Sequence, residues 1–344
     1  MFAKISFCVK INLMYRPLRF SEVIGQSLIV QLIKTALEKQ TLPRTIILHG
    51  PSGIGKTTLA RLIAAWFVCE SKQDDGDVCG KCNMCIAVQN GSLVDVLEFD
   101  AASNTSVDDI RDILDQCNYA PQVSCEKIFI IDEAHMLSRN AVAALLKTFE
   151  ETKSHVRFIL ATTEIQKISD AITSRCLCLA LQSIKESDMQ EYLARLKDFE
   201  IQQEAMNLLV KLSNGSMREV LSIVQQASLL DKKITLDLIY KLLSFASDSD
   251  TEKIASDILN NDFIGVFEKV NMLAKDNNIS MLSFLLQLII FFKVFFSKSE
   301  SSDEKKKILK VLIDLNDLYS FAIKNSYFSQ MIIIGLAKIA YANS

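Results

Sequence analysis

Glycine and proline are both scarce in this chain, with 10 and 4 residues among 344. Because these residues interrupt helices and strands, their scarcity predicts a helix-rich protein with few long loops. Charge of one sign is not in excess either, since 38 lysines and arginines face 41 aspartates and glutamates. Any contact with nucleic acid must therefore come from a local basic surface. No low-complexity tract or internal repeat stands out, and the length suits two or three compact domains.

The sequence shows neither a convincing signal peptide nor a convincing membrane-spanning segment. Lys4 and Lys10 interrupt the apolar run at the N-terminus, which makes it a poor signal peptide. The most hydrophobic stretch, Met281 to Phe296, contains Gln287 and Lys293 and is shorter than the ~20 residues that a membrane span needs. It predicts a buried core helix, and we expect a cytoplasmic protein without membrane contact. In a reducing compartment, the nine cysteines favour thiols or metal ligands over disulfides.

One segment has the glycine spacing of a phosphate-binding loop, G-x-x-x-x-G-K-[ST], between a β-rich run at 45–48 and a helical pattern at 59–68. The glycines let backbone N–H groups face the phosphates of ATP at a helix N-terminus. Lys56 would pair with the β- and γ-phosphates, and the Thr57 hydroxyl would ligate Mg²⁺. The alternative, a chance glycine-rich turn, is disfavoured by the flanking strand and helix. The predicted nucleotide-binding residues here are Gly50, Pro51, Ser52, Gly53, Ile54, Gly55, Lys56, Thr57 and Thr58.

A second strand ends in two acids. The run at 127–131 is almost entirely apolar, as a strand buried on both faces requires, and Asp132 and Glu133 follow it. Asp132 would hold the water shell of Mg²⁺, and Glu133 would polarise the attacking water as a general base. A strand that ends in a solvated acidic turn is the alternative, which the phosphate-binding loop disfavours.

The tetrad Asp132-Glu133-Ala134-His135 is also compatible with a helicase of the DEAH type. Such helicases have two tandem motor domains, with an arginine-rich motif in the second. No such motif follows His135 in this sequence. The pattern therefore favours a single motor of the AAA+ type, in which His135 orients the loop after the acids.

Three further residues fit the plan of an AAA+ motor. The run at 157–163 predicts a third buried strand, at whose end Thr163 would sense the γ-phosphate or place the water. Arg175 would lie at the domain edge and reach the ATP of a neighbouring subunit, where an arginine finger stabilises transition-state charge. A surface salt bridge is the alternative for Arg175. Arg218, which opens a helix in an expected small helical lid, would touch the γ-phosphate within its own subunit.

Four cysteines have the spacing of metal ligands. Cys79, Cys82 and Cys85 are separated by two-residue gaps, and Cys69 lies shortly before them. Two-residue gaps let successive sulfurs turn back on one centre, and four thiolates suit tetrahedral Zn²⁺ in a structural site. Chance spacing of buried cysteines is the alternative. The remaining cysteines lack partners at ligand spacing and are predicted to be packing residues: Cys8, Cys117, Cys125, Cys176 and Cys178.

Together these motifs resemble the gamma/tau subunit family of the bacterial DNA polymerase III clamp loader. The resemblance covers about residues 14 to 230. The zinc module inside a clamp-loader ATPase separates the chain from eukaryotic and archaeal loaders, and intact Lys56 and Thr57 separate it from the ATPase-inactive delta-prime subunit. The supporting motifs are Tyr15-Arg16-Pro17, Val23-Ile24-Gly25-Gln26, the phosphate-binding loop, the four cysteines, Asp100-Ala101-Ala102-Ser103, the acidic tetrad with Met136-Leu137-Ser138, Ala144-Leu145-Leu146-Lys147, Ser174-Arg175-Cys176 and Gly215-Ser216 with Arg218.

The resemblance implies an α/β fold with three domains. Residues 1–180 would form an AAA+ P-loop nucleotide-binding domain with a zinc-binding insertion at 69–85. A small helical lid would follow at 181–243, and an all-α collar, responsible for oligomerisation, at 244–344. The collar segment is rich in Leu, Ile, Phe and Lys at helical spacing, as expected. Arg16, Pro17, Val23 and Ile24 would lie against the adenine.

The resemblance also implies the activity and the partners. ATP binding would close a ring of subunits (delta, delta-prime and further gamma/tau copies) on the sliding clamp and primer–template DNA, and hydrolysis would release both. Lys147 and Arg111 would face the central channel and contact DNA phosphates, although both could also be solvated helix charges. Asn104 and Ser106 are neutral where the family usually carries basic residues. The helicase and polymerase contacts of a longer tau tail are not expected from this chain. A scaffold with a decayed ATP site is the remaining alternative, and the intact site residues argue against it.

Overall fold

The computed structural model describes residues 15–103, 113–150, 153–276, 279–324 and 329–342. These residues form two compact units. The first contains the chain up to Leu196 together with Ser213–Gln225, and the second contains Lys197–Leu212 and the chain from Gln226 onward. Arg111, Asn104, Ser106 and Cys8 lie outside the described residues. The division into three domains at residues 180 and 243 stays a prediction.

A five-stranded parallel sheet organises the first unit. Its strands in spatial order are β2 (Val96–Asp100), β3 (Lys127–Asp132), β4 (Val156–Thr162), β1 (Thr45–His49) and β5 (Leu177–Ala180). Residues 156–162 of β4 are all buried, as are residues 127–131 of β3. Burial on both faces explains the continuous apolar runs in the sequence, because helices cover both sides of a parallel sheet.

The helices of the first unit are α1 (Ser27–Glu38), α2 (Lys56–Val68), α3 (Asn83–Gln89), α4 (Arg139–Glu150), α5 (Asp170–Thr173) and α6 (Glu186–Arg195). Helix α2 begins directly after Gly55, whose positive φ of 105° ends the preceding loop. Leu59 and Ile63 are fully buried and belong to the core on one side of the sheet. Leu145 of α4 belongs to the core on the other side. The unit is therefore an α/β fold of the P-loop type, with layers on both faces of its sheet.

The strand order brings three functional strand ends together. Strand β4 lies between β1 and β3, so that Ala161 pairs with Leu48 and Leu160 pairs with Ile131. The carboxyl ends of parallel strands meet at one edge of the sheet, where ligands bind in open α/β folds. The phosphate-binding loop after β1, the acids at the end of β3 and Thr163 after β4 consequently share that edge.

The second unit is mainly helical. Its elements are β6 (Glu200–Ile201), α7 (Gln203–Leu212), β7 (Lys233–Ile234), α9 (Leu236–Leu243), α10 (Asp248–Leu259), α11 (Phe263–Leu273), α12 (Met281–Lys298), α13 (Ser302–Lys324) and α14 (Ser329–Ala342). Strands β6 and β7 form a short parallel pair. Helix α8 (Met217–Ser228) begins in the first unit, and its last residues belong to the second.

Helix α12 is long and apolar enough to cross a membrane, by length and composition alone. In the structure, Phe284, Leu288 and Phe292 are fully buried within the core of the second unit. Gln287 is buried as well, and its side-chain amide exchanges two hydrogen bonds of 3.0 Å with the backbone of Ala246. The polar residue inside this apolar run thus has a structural partner.

Candidate functional site

A cleft in the first unit contains most of the residues predicted to bind nucleotide. Its empty volume is about 930 Å³, including space open to solvent. Of the predicted residues that the structure describes, Gly50, Pro51, Thr163 and Arg175 do not line it. The lining residues are Tyr15, Arg16, Pro17, Val23, Ile24, Ser52, Gly53, Ile54, Gly55, Lys56, Thr57, Thr58, Asp132, Glu133, Ile184, Tyr192, Met217, Arg218 and Leu221.

Two glycines of the phosphate-binding loop lie where a side chain would come too close to other atoms. Gly50 has φ +146°, and a Cβ atom there would lie 2.3 Å from the Leu181 carbonyl oxygen. Gly53 has φ +73°, and its Cβ would lie 2.0 Å from Ser216 Oγ. Both positions therefore exclude a side chain through conformation and through space. The Gly53 carbonyl also accepts a hydrogen bond of 3.3 Å from the Arg218 backbone N–H, which fixes the start of α8 against the loop.

Lys56 and Thr57 begin α2 and face the cleft. Lys56 Nζ donates to the carbonyl oxygens of Gly50, at 2.9 Å, and Pro51, at 2.6 Å. Burial lowers the pKa of Lys56, an effect that the carboxylates of Glu133 and Asp132 oppose. Thr57 Oγ1 donates to Asp132 Oδ2 at 2.6 Å. A hydroxyl and a carboxylate in contact are oxygen donors of the kind that Mg²⁺ prefers, so these two residues fit the predicted magnesium site.

Glu133 has a backbone conformation that its sequence pattern does not indicate. Its φ and ψ are +48° and +43°, in the left-handed region, which costs a non-glycine residue about 1–2 kcal/mol. Its carbonyl accepts the Met136 N–H at 2.8 Å, and its carboxylate accepts the Thr163 hydroxyl at 3.2 Å. Thr163 therefore contacts the acid that was predicted to act as general base.

His135 lies beside this acid. Its Nδ1 atom is 3.1 Å from Thr162 Oγ1 and 3.4 Å from Glu133 Oε2, and its Nε2 atom is 3.5 Å from Glu164 Oε1. The ring thus connects the turn after β3 with the end of β4. These contacts agree with the orienting role that the sequence suggested for His135.

Arg16 supplies a hydrogen-bond donor without a partner to the cleft. Among the described residues, its Nη1 atom is one of the few buried side-chain atoms without a hydrogen-bond partner. Burial lowers the pKa of Arg16 to about 10, and the neighbouring charges of Arg61 and Arg218 act in the same direction. A partly buried guanidinium group with a free donor fits a ligand that supplies a hydrogen-bond acceptor.

Sequence reasoning did not find several residues of the cleft wall. Ile184, Tyr192, Met217 and Leu221 line it, yet no local motif distinguishes them. Tyr192 also donates a hydrogen bond of 3.0 Å from its hydroxyl to the Tyr15 carbonyl oxygen. These residues come from segments remote in sequence, so only the folded chain places them around the loop.

Arg175 and Lys147 lie outside the cleft on the surface. Arg175 donates to the Ala171 carbonyl oxygen at 2.9 Å and to Glu150 Oε1 at 2.8 Å. Both side chains of the ion pair are well exposed, by 44% for Arg175 and 57% for Glu150. The pair has the geometry of the surface salt bridge considered as the alternative for this arginine. Lys147 is exposed on α4.

The four predicted ligand cysteines converge at one point. The Sγ atoms of Cys69, Cys79, Cys82 and Cys85 all lie within 4.8 Å of one another. Tetrahedral zinc with Zn–S bonds of about 2.3 Å would place the sulfurs roughly 3.8 Å apart, and the Cys79 and Cys85 sulfurs are separated by 3.9 Å. Backbone N–H groups of Cys79, Cys82 and Cys85 point at cluster sulfurs over 3.3–3.4 Å. The donor set and its spacing fit Zn²⁺.

The other described cysteines are free thiols. Cys117 is buried, in agreement with a packing role. Cys125 and Cys178 are exposed, so the packing prediction is wrong for these two. The reason is their position: Cys178 lies on the edge strand β5 and Cys125 in the loop before β3.

The comparisons with known proteins identify the family of the chain. A family model described as DNA polymerase III, delta subunit, matches residues 25–185. The DNA polymerase III subunit gamma of Buchnera aphidicola subsp. Baizongia pistaciae is 35% identical over 252 residues, which cover 72% of this chain and 68% of that protein. The chain belongs to the gamma/tau subunit family of DNA polymerase III.

Other members of the family are much longer. The Haemophilus influenzae subunit tau/gamma is 36% identical over 239 residues, covering 68% of this chain and 35% of that protein. The Escherichia coli subunit tau is 38% identical over 216 residues, covering 62% and 33%. The matched part of the chain thus spans about a third of these relatives. Among solved structures, Thermotoga maritima RuvB is similar with a TM-score of 0.49 and 21% identity, covering 79% of this chain and 91% of that one.

Proposed function

We propose that this chain is the ATPase motor subunit of a DNA polymerase III clamp loader, which uses ATP to load the sliding clamp onto primed DNA. The observation that carries the proposal is the contact of Thr57 with Asp132, next to Glu133 and its Thr163 partner. This arrangement unites the residues that position Mg²⁺ and water in P-loop ATPases. Membership of the gamma/tau family supplies the replication context.

Lys56 is proposed to bind the phosphates of ATP. The hydrogen bonds of Lys56 to the carbonyl oxygens of Gly50 and Pro51 would be exchanged for bonds to the β- and γ-phosphates, which are stronger because the acceptor is charged as well. Arg218 would reach the γ-phosphate from the start of α8. Arg16, Pro17, Val23 and Ile24 would enclose the adenine, and the free donor of Arg16 would gain a partner there.

Glu133 is proposed as the general base. An ionised carboxylate accepts the proton of the attacking water, and the Thr163 hydroxyl holds this carboxylate in place through its 3.2 Å hydrogen bond. Asp132 and Thr57 would hold Mg²⁺, which when bound neutralises charge that develops on the phosphates. Thr58, Ser52, Ile54 and the loop glycines would contribute the remaining wall of the phosphate site.

Arg175 is proposed to act on the ATP of a neighbouring subunit. Its ion pair with Glu150 is exposed on both sides, and such surface pairs contribute only about 0–1 kcal/mol. The arginine can therefore leave Glu150 at little cost when a phosphate becomes available. The partners would be delta, delta-prime and further copies of this subunit.

The remaining parts are proposed to serve assembly and DNA. Residues 69–85 would be a structural zinc module, 181–243 a lid and 244–344 a collar, in a cytoplasmic complex. Lys147, together with Arg111, would contact the phosphates of primer–template DNA in the channel of the ring. Each lost phosphate contact lowers the salt slope of DNA binding by about one. An unchanged salt slope for the double variant Lys147→Ala and Arg111→Ala in the assembled loader, with ATPase intact, would show that DNA binds elsewhere.

The deciding experiment measures ATP hydrolysis by the purified chain, first alone and then with the sliding clamp, the other loader subunits and primed DNA. We expect slow hydrolysis alone and strong stimulation in the full mixture, because Arg175 acts only between subunits. Lys56→Ala serves as the control without nucleotide binding. Absence of hydrolysis in the full mixture would instead identify the chain as a scaffold.

A further inference from the structure

The wall of the cleft that includes Arg16, Pro17, Val23 and Ile24 is interrupted by the segment Leu18–Glu22, which contains a short 3₁₀ turn at Phe20–Glu22. The segment itself does not line the cleft, but it connects the pair Arg16 and Pro17 with the pair Val23 and Ile24. Its position therefore determines where both pairs lie.

A buried carboxylate holds this segment. Asp77 is 1% exposed, and its two carboxylate oxygens accept hydrogen bonds from the backbone N–H groups of Phe20 and Ser21, both at 2.9 Å. The same carboxylate accepts the Val78 N–H at 2.7 Å. Hydrogen bonds to an ionised acceptor are about twice as strong as those between neutral groups. Loss of the carboxylate would leave buried donors without a partner.

The loop between Cys69 and Cys82, here called the cysteine loop, makes further contacts with the segment Leu18–Glu22. Arg19 donates from Nε and Nη2 to the Cys79 carbonyl oxygen, at 3.2 and 3.0 Å. A Cβ atom on Gly80 would lie 3.2 Å from both Leu18 Cβ and the Leu18 carbonyl oxygen, so the two backbones are in close contact. Successive residues of the segment are thus held by Asp77 and by the residues that surround Cys79.

The loop is also fixed from behind. Trp66 of α2 donates its indole N–H to the Gly76 carbonyl oxygen at 3.1 Å, and Lys34 of α1 binds Asp75 at 3.1 Å. The cysteine cluster closes the other end of the same loop. It follows that the loop at 76–80 is anchored on both sides and can transmit its position to the cleft wall.

We propose that the cysteine loop sets the position of the cleft wall formed by Arg16, Pro17, Val23 and Ile24, with Asp77 as the positioning residue. The loop would thereby control the affinity of the cleft for the nucleoside part of ATP. The inference rests on the proposed binding of ATP in this cleft. The phosphate-binding loop is joined to β1 and α2 and has its own contacts to Leu181 and Ser216. Phosphate recognition therefore does not depend on the Asp77 contacts.

The test compares two ligands on the same variants. Asp77→Asn replaces one acceptor oxygen by a donor that faces backbone N–H groups, and Asp74→Asn is the matched control, because Asp74 is exposed in the same loop. We expect Asp77→Asn to weaken ATP binding by about tenfold, as the loss of one charged hydrogen bond predicts. Binding of inorganic tripolyphosphate should stay within about twofold of the wild-type value, and Asp74→Asn should change neither ligand.

A second variant covers the case in which Asp77→Asn does not fold. Arg19→Ala removes the two donors to Cys79 and should weaken ATP binding in the same selective way. Unchanged ATP affinity in folded Asp77→Asn or in Arg19→Ala would overturn the inference, as would an equal loss for both ligands, which indicates general destabilisation. If the wild-type chain binds tripolyphosphate but not ATP, the proposed function itself is contradicted. This outcome is distinct from unchanged ATP affinity in the variants and from an equal loss for both ligands.

Discussion

Gly53 offers a direct test of how closely the phosphate-binding loop approaches the segment at Ser216. Alanine at this position would adopt φ +73°, at a cost of about 1–2 kcal/mol. Its Cβ would also lie 2.0 Å from Ser216 Oγ, and overpacking of this kind adds about 1–3 kcal/mol. We therefore expect Gly53→Ala to destabilise the first unit by about 3 kcal/mol and to weaken ATP binding.

The chain contains a matched control for the backbone contribution. Gly91 has φ +66°, but a Cβ atom there would meet no other atom within 4 Å, so Gly91→Ala should cost only the conformational part, about 1–2 kcal/mol. In a unit of roughly 200 residues, each kcal/mol lowers Tm by about 2–4 °C. Gly53→Ala should then lower Tm by about 6–12 °C and Gly91→Ala by about half as much. The fluorescence of Trp66, the one tryptophan of the chain, reports this unit.

A double variant isolates the clash itself. Ser216→Ala removes the oxygen that a Cβ on Gly53 would meet at 2.0 Å, after which the nearest atoms lie at 3.1 and 3.2 Å. In the background of Ser216→Ala, Gly53→Ala should therefore lower Tm by about as much as Gly91→Ala does. The reasoning would be refuted if the Tm of Gly53→Ala were no lower than that of Gly91→Ala. It would also be refuted if Gly53→Ala lowered Tm by the same amount with and without Ser216→Ala.

Three further predictions concern the chemistry and the metal. Glu133→Gln should retain ATP binding and slow hydrolysis by about 10²-fold or more, because the amide cannot take the proton of water; wild-type hydrolysis in the assembled loader would contradict this role. Arg175→Ala should leave ATP binding of the isolated subunit unchanged and reduce stimulated hydrolysis in the complex by roughly 10³-fold. An equal loss in the isolated subunit would point to a role in its own site. Elemental analysis should find one zinc per chain, and Cys82→Ser should lose it, with a lower Tm but unchanged tripolyphosphate binding. If protein purified without chelators contains no zinc, the proposed metal site is excluded.

The local elements of the fold could be predicted because each has its own pattern. The apolar runs before Gly50 and Asp132 predicted buried strands, and β1 (Thr45–His49) and β3 (Lys127–Asp132) are where these runs lie. The helix after the phosphate-binding loop was predicted from residue 59 and begins at Lys56. Apolar periodicity identifies such elements because burial on one or both faces demands it.

The arrangement of these elements could not be read in the same way. Nothing in the sequence indicates that β4 lies between β1 and β3, yet this order is what brings Thr163 to Glu133. The approach of Gly53 to Ser216 joins positions far apart in the chain. Arg175 lies in the turn after α5, and its partner is Glu150 at the end of α4. Each of these contacts depends on tertiary packing, which local patterns do not contain.

The left-handed backbone of Glu133 has a consequence for how this position can vary. A residue with φ +48° is less strained as glycine, or as asparagine, than as glutamate. Selection for stability alone would therefore remove the glutamate, whereas selection for hydrolysis would retain it in its proposed role as general base. A saturation library of this codon, sorted once for thermal resistance and once for ATP turnover, should enrich different residues in the two sorts. In this proposal, stability and activity favour different residues at position 133. The residue found there in a descendant sequence would therefore show which of the two properties selection has maintained.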